Sequence, residues 1–246
     1  MNVNLREMVE YDAEKYPVYG FKTGKEETDN IKMDFGNQCA GYPFEMHGHY
    51  FHTSESAYLC GQFSLDTPEC RSVQEQLKAE VNGFNAKKRI KNNNLQYLRG
   101  DWKYFNAEWM LYVIWCKVKG NPEFAKKLLS LPTNCIITEN STTIHEDTSI
   151  YWGTKNHELE EARDKVAQMK AIEIEKGKDK GTGSKAERIQ RARDEIQFIG
   201  TYKDGHNYMG KILKICQTAL LNNTEPDIPY DLFRKHGVWL LGEKIF

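Results

Sequence analysis

The sequence predicts a mainly helical α+β domain with a few short strands and a charged helical hairpin inserted into it. Three observations carry that prediction. Phe105, Trp109, Val113 and Cys116 recur at helical spacing, with Met110 and Tyr112 flanking the stripe. Short aromatic pieces alternate with turn residues between 35 and 53, as in short strands. Residues 158–195 hold 20 charged side chains, ten of each sign, over a thin apolar stripe.

The chain of 246 residues is long enough for one substantial core plus an insertion. Its 34 basic and 35 acidic side chains leave a net charge of −1. That balance argues against a strongly electrostatic nucleic-acid binder and leaves room for a local basic groove. Five tryptophans and 12% aromatic residues exclude disorder of the whole chain. The mean hydropathy of −0.70 then implies one unusually polar stretch. No apolar run approaches the roughly 20 residues of a membrane span. The polar, acidic first fifteen residues do not read as a secretory signal, so the expectation is a cytoplasmic protein without membrane contact. The six cysteines, at 39, 60, 70, 116, 135 and 216, are irregularly spaced with no C-x-x-C pair. They read as reduced, packed thiols.

Residues 1–34 are polar with a weak helical start. Short strands follow around Gly41-Tyr42-Pro43 and Gly48. Thr53 or Ser54 caps a helix beginning at Glu55 and running through Phe63. Residues 68–90 read as further short helices. Gly100-Asp101-Trp102 opens the clearest helix, which ends near Gly120-Asn121-Pro122. A second amphipathic piece carries Phe124, Leu128, Leu129 and Leu131, and Cys135-Ile136-Ile137 reads as a short buried strand.

In the charged block, Ser184 and Glu187 form a capping-box pattern. The block reads either as a solvated protrusion or as a partner-binding arm. Gly205 to Gly210 then makes a turn into a helix, a geometry that can present backbone N–H groups to an anion. The predicted organisation is an extension over 1–32, a body over 33–222 interrupted by the 158–198 insertion, and a C-terminal segment, 223–246, that packs back.

Taken singly, the chemistry-bearing residues stay ambiguous. His47, His49 and His52 read as surface or hydrogen-bonded histidines rather than metal ligands, since no second ligand cluster accompanies them. Neither a metal nor a cofactor is expected. Glu55 is either a first-turn carboxylate favoured by the helix dipole or a catalytic group. Asp101-Trp102 is either a helix cap with a core aromatic or part of a site. Lys87 is either a solvated member of the Lys87-Lys88-Arg89 run or a reactive amine.

Their order is more specific. Phe35-x-Asn37 and Pro43-Phe44 precede Ser54-Glu55-x-Ala57-Tyr58 and Phe63. Ala86-Lys87, Arg99-x-Asp101-Trp102, Met110, Lys117, Asn121-Pro122, Leu128-Leu129 and Thr133 follow. Trp152-Gly153 and Gly205-x-Asn207-x-x-Gly210-x-x-Leu213 complete the series. This order resembles the NADAR family, the YbiA-like N-glycosidases, over roughly residues 33–222. The chain departs from the family's usual pattern at Ser56 (commonly His), Leu59-Cys60 (Gln-Ala), Gln62 (Lys) and Ser149 (Asp). Asp147, five residues before Trp152, is the other candidate for that last position.

The resemblance implies a compact helical fold that hydrolyses the N-glycosidic bond of a ribosylated base. It implies removal of ADP-ribose from guanine in nucleic acid. The alternatives are hydrolysis of phosphoribosyl-pyrimidine intermediates of riboflavin synthesis, or a non-catalytic sensor of ADP-ribose. The partner implied is ADP-ribosylated nucleic acid or a small ribosylated nucleotide, with a toxin of the DNA ADP-ribosyltransferase type behind it. Carried over residue by residue, Glu55 is the carboxylate that acts at the sugar, and Asp147 the second carboxylate. Lys87 is an amine able to capture a ring-opened ribosyl aldehyde or hold a phosphate. Trp102 and Trp152 stack on the base. Arg99 pairs with a phosphate. Asn207, within the Gly205–Gly210 turn, holds ribose hydroxyls or phosphate. Asn37, Tyr58, Asp101 and Ser149 complete the expected substrate-binding set.

Overall fold

The computed structural model describes residues 5–6, 9–12, 15–22, 24–140, 144–145, 150–153, 165, 168–169, 172–173, 183–189, 201–204 and 207–246. It is mainly helical, with short strands paired two by two. The N-terminal part holds strands rather than the expected weak helix: β1 (Val9–Asp12), β2 (Val18–Phe21), β3 (Glu27–Thr28) and β4 (Ile31–Lys32). β2 is decided by tertiary pairing, which local propensity does not report. It lies parallel to β7 (Ile136–Glu139), with Val18 opposite Ile136 and Phe21 opposite Glu139.

β5 (Phe44–Met46) and β6 (His49–Phe51) form the expected hairpin. Its two-residue turn, His47-Gly48, has positive φ at both positions (51° and 74°), the backbone that matches strand twist in a tight hairpin. Thr53 then caps α1 (Ser54–Gln62), its Oγ1 accepting the Ser56 N–H at 3.2 Å. Every residue of α1 is buried, so this helix is the centre of the molecule.

Around it lie α2 (Pro68–Ala79), the single turn α3 (Gly83–Asn85), a π-helical turn over Ala86–Lys91 and a 3-10 stretch over Asn92–Tyr97. The long central helix starts later than the sequence predicts. Trp102–Tyr104 is a separate 3-10 turn, and Phe105 breaks the chain with φ −144° before α4 (Asn106–Gly120). Asn121 caps α5 (Pro122–Ser130), donating from Nδ2 to Pro43 and accepting at Oδ1 from Phe124.

β8 (Ile144–His145) pairs with β9 (Ile150–Tyr151), and β10 (Thr201–Asp204) pairs with β1. Between β9 and β10 most of the charged insertion lies outside the described residues, and with it the predicted helical hairpin. Its capping box is described: the Ser184 N–H donates to Glu187 Oε2 at 2.6 Å, and the Glu187 N–H to Ser184 Oγ at 3.3 Å.

α6 (Tyr208–Leu221), α7 (Tyr230–His236) and the hairpin of β11 (Trp239–Leu240) with β12 (Glu243–Lys244) close the chain. Phe246 packs its ring on His47, Tyr112, Tyr230 and Phe233. All six cysteines are free, and five are buried. Among the described residues no helix is long and apolar enough to cross a membrane.

Candidate active site

Helical geometry puts residues i, i+3 and i+7 on one face. On α1 those positions are Glu55, Tyr58 and Gln62, all buried. The Glu55 backbone N–H, one of the free donors of a helix start, bonds to the Asn37 carbonyl at 3.0 Å. The Asn37 side-chain oxygen is itself buried without a partner among the described residues. The stretch around Phe35–Asn37 and the start of α1 are thereby locked together.

Glu55 is 6% exposed. Burial pushes its carboxyl above the usual range, and the nearby Lys87 and Lys91 ammonium groups pull it partly back. Both lysines are half-buried on the π-helical turn packed against α1. Lys91 is driven below its ordinary value by burial and by the like charge of Lys87, with Glu55 opposing. Sequence reading singled out Lys87 and missed Lys91. A π turn redirects the two side chains relative to an α-helix, and no apolar periodicity in Lys87–Asn94 announces it.

Tyr58 sits at the centre of an aromatic wall. Its ring meets Trp102 edge-on at 5.2 Å and Trp152 edge-on at 5.4 Å. Trp102 continues to Phe105 at 5.1 Å, and Trp152 to Tyr208 at 6.0 Å. The two tryptophans are half-buried. Burial, and then the Glu55 carboxylate, push the Tyr58 hydroxyl strongly up, so it stays protonated. The structure therefore brings together Glu55, Lys87, Tyr58, Trp102 and Trp152, with Asn37 behind them.

Other candidates are drawn into structural work. Arg99 donates to Asp101 from Nε (2.6 Å) and Nη2 (3.0 Å), to Ser64 Oγ (2.6 Å), and to the carbonyls of Ser64, His236 and Gly237. This network engages all three guanidinium nitrogens and leaves Arg99 poorly placed to bind a phosphate. Asp101 does not cap the following turn. It accepts from Arg99 and lies 2.7 Å from His236 Nδ1, and these contacts hold its carboxyl down to about 2. The pair fastens the loop carrying Trp102 to the C-terminal segment.

Asn207 is equally engaged. Its Nδ2 donates to the Ile137 carbonyl at 2.7 Å, and its Oδ1 accepts the Glu139 N–H at 3.1 Å. A Cβ on Gly210 would stand 2.1 Å from the Ile137 oxygen, so only glycine lets α6 approach β7 this closely. Asn207 and Gly210 thus seal a helix to a strand. Asp147, Ser149 and Gly205 lie outside the described residues.

The three histidines disperse. His47 Nε2 lies 2.7 Å from the Tyr112 hydroxyl, His52 packs on Tyr50, and His49 Nε2 is buried without a described partner. Among the described residues no group of three His, Cys, Asp or Glu is placed to hold a metal ion.

No protein-family model matches the chain, and no curated protein matches it. Among solved structures it is similar to the Escherichia coli protein YbiA, determined by NMR. The identity is 18% and the TM-score 0.44, over 73% of this chain and 84% of that chain.

Proposed function

We propose that this chain is an N-glycosidase that hydrolyses the bond between a ribosyl carbon and a base nitrogen, with ADP-ribose on guanine in nucleic acid as its substrate. The observation that carries this reading is the Glu55 carboxyl. It is buried, raised in pKa, faced by two lysines, and on the same helix face as the aromatic wall. The motif order in the sequence supports the same reaction.

Departure of the base builds positive charge on the anomeric carbon and negative charge on the leaving nitrogen. Ionised Glu55 stabilises the first and takes a proton from the attacking water. The new carbon–oxygen bond forms as the carbon–nitrogen bond breaks, and the proton passes to the departing nitrogen. A carboxyl raised toward neutrality suits both transfers. Trp102 and Trp152 hold the base flat, and Lys87 with Lys91 face the phosphates. Asp147 remains the proposed second carboxylate, within a catalytic body spanning 33–222 and a partner-facing arm over 158–198. The biological setting in this reading is cytoplasmic removal of the marks left by a DNA-modifying toxin.

The lysine pair also favours a second reading. A phosphoribosyl-pyrimidine intermediate of riboflavin synthesis carries its phosphate close to the ribose, where two ammonium groups would meet it. Incubating the protein with a guanine-ADP-ribosylated oligonucleotide, followed by mass spectrometry, separates the two. Loss of one ADP-ribose supports the first. An intact adduct beside cleavage of a phosphoribosyl-pyrimidine supports the second.

A further inference from the structure

Gln62 ends the helix face that begins with Glu55 and continues through Tyr58, and it is 7% exposed. Its backbone carbonyl accepts the Arg99 N–H at 3.0 Å, which fixes the end of α1 to the loop carrying Trp102. Its side-chain oxygen is buried without a hydrogen-bond partner among the described residues. A buried acceptor left empty is costly, so its retention beside the half-buried tryptophans of the aromatic wall calls for a ligand. The Gln62 carboxamide and the Trp102 indole both act on the Tyr58 hydroxyl in the sense of donors, which places Gln62 next to the wall. The Gln62 oxygen, one helical turn from Tyr58 on the same face, is the end left without a partner.

We propose that Gln62 is a specificity-determining residue whose side-chain oxygen accepts an N–H from the edge of a base lying against the Tyr58–Trp102–Trp152 wall. The ligand class is a nucleobase with an N–H donor on its pairing edge. A neutral carboxamide suits such an edge, whereas the phosphates are left to the lysines on the π-helical turn. The inference rests on the glycosidase reading for which base is recognised, and extends it to how.

The test is calorimetric binding of guanosine 5′-monophosphate and of purine riboside 5′-monophosphate, which lacks every N–H on that edge. The wild-type protein is expected to prefer the guanine nucleotide by about tenfold or more. Gln62→Met, of similar volume and without the acceptor, is expected to bind both alike. Its thermal unfolding reports whether it folds. If it does not, Gln62→Leu is put through the same comparison. Equal binding of the two nucleotides by wild type, or an undiminished preference in the folded variant, would overturn the proposal. These are binding readouts. A protein that discriminates the nucleotides yet cleaves no ribosylated base would retain the Gln62 assignment and lose the glycosidase.

Discussion

The ring of Trp152 meets the ring of Tyr58 edge-on, at 5.4 Å between centroids and 83° between planes. The contact joins the end of β9 to the central helix and completes the wall that Trp102 begins. If the wall holds the base, Trp152→Ala should raise KM by about tenfold to hundredfold, the equivalent of roughly 1–3 kcal/mol of stacking. The kcat should change far less. An unchanged KM in steady-state kinetics would remove Trp152 from the site.

The charge of Lys91 reaches Glu55 and favours its ionised form. Removing it with Lys91→Met leaves burial less opposed, so the Glu55 pKa rises further. If Glu55 is the catalytic base, the acid limb of the pH profile of kcat/KM reports its ionisation and should move to higher pH. A limb that stays in place would show that the lysine does not tune this carboxyl.

Asn207 and Gly210 are expected to matter for stability rather than for ligand contact. Gly210→Ala places a Cβ against the Ile137 oxygen and both side-chain atoms of the Asn207 amide, and should cost about 3 kcal/mol or more in denaturant unfolding. Asn207→Ala strands the Glu139 N–H and the Ile137 carbonyl, at about 1–3 kcal/mol for each buried group. A large rise in KM with no loss of stability would return Asn207 to the substrate site.

Lys117 is fully buried, with Nζ 3.1 Å from Ser54 Oγ and 4.4 Å from the centre of the Phe124 ring. Burial brings its ammonium down to about 8. The unfolded chain binds the proton more tightly, so this group's contribution makes the protein more stable as pH rises from about 8 toward the ordinary lysine value near 10.4. Lys117→Met should flatten that rise and leave Tm at neutral pH equal or higher. A fall in Tm of several degrees would show that the charge is needed where it stands.

The helical body was legible in the sequence because its signals are local. Thr53 is a good cap, the 105–116 stripe is periodic, and Asn121-Pro122 separates two helices. The N-terminal strands were not, because β2 is defined by a partner more than a hundred residues away. Around the site, Glu55, Tyr58 and the two tryptophans were named from motif order, and the structure places them together. Arg99 and Asn207 were named by the same order, yet their hydrogen bonds are spent inside the protein. A motif records which residue types recur, and a packing latch recurs for its own reasons. Lys91 carried no signal, since it sits in a polar run, and Gln62 stood out only as a departure from the family's usual Lys, with nothing local to show its oxygen left unpaired.

The central claim is that Glu55 carries the chemistry. Its most direct test is Glu55→Gln, an uncharged replacement of nearly the same shape, assayed for adduct cleavage and for substrate binding in parallel. The account predicts that release of ADP-ribose from a guanine-ADP-ribosylated oligonucleotide falls by at least about a thousandfold while affinity stays within a few-fold. Full turnover by a folded Glu55→Gln protein would contradict it and send the search for the catalytic group elsewhere.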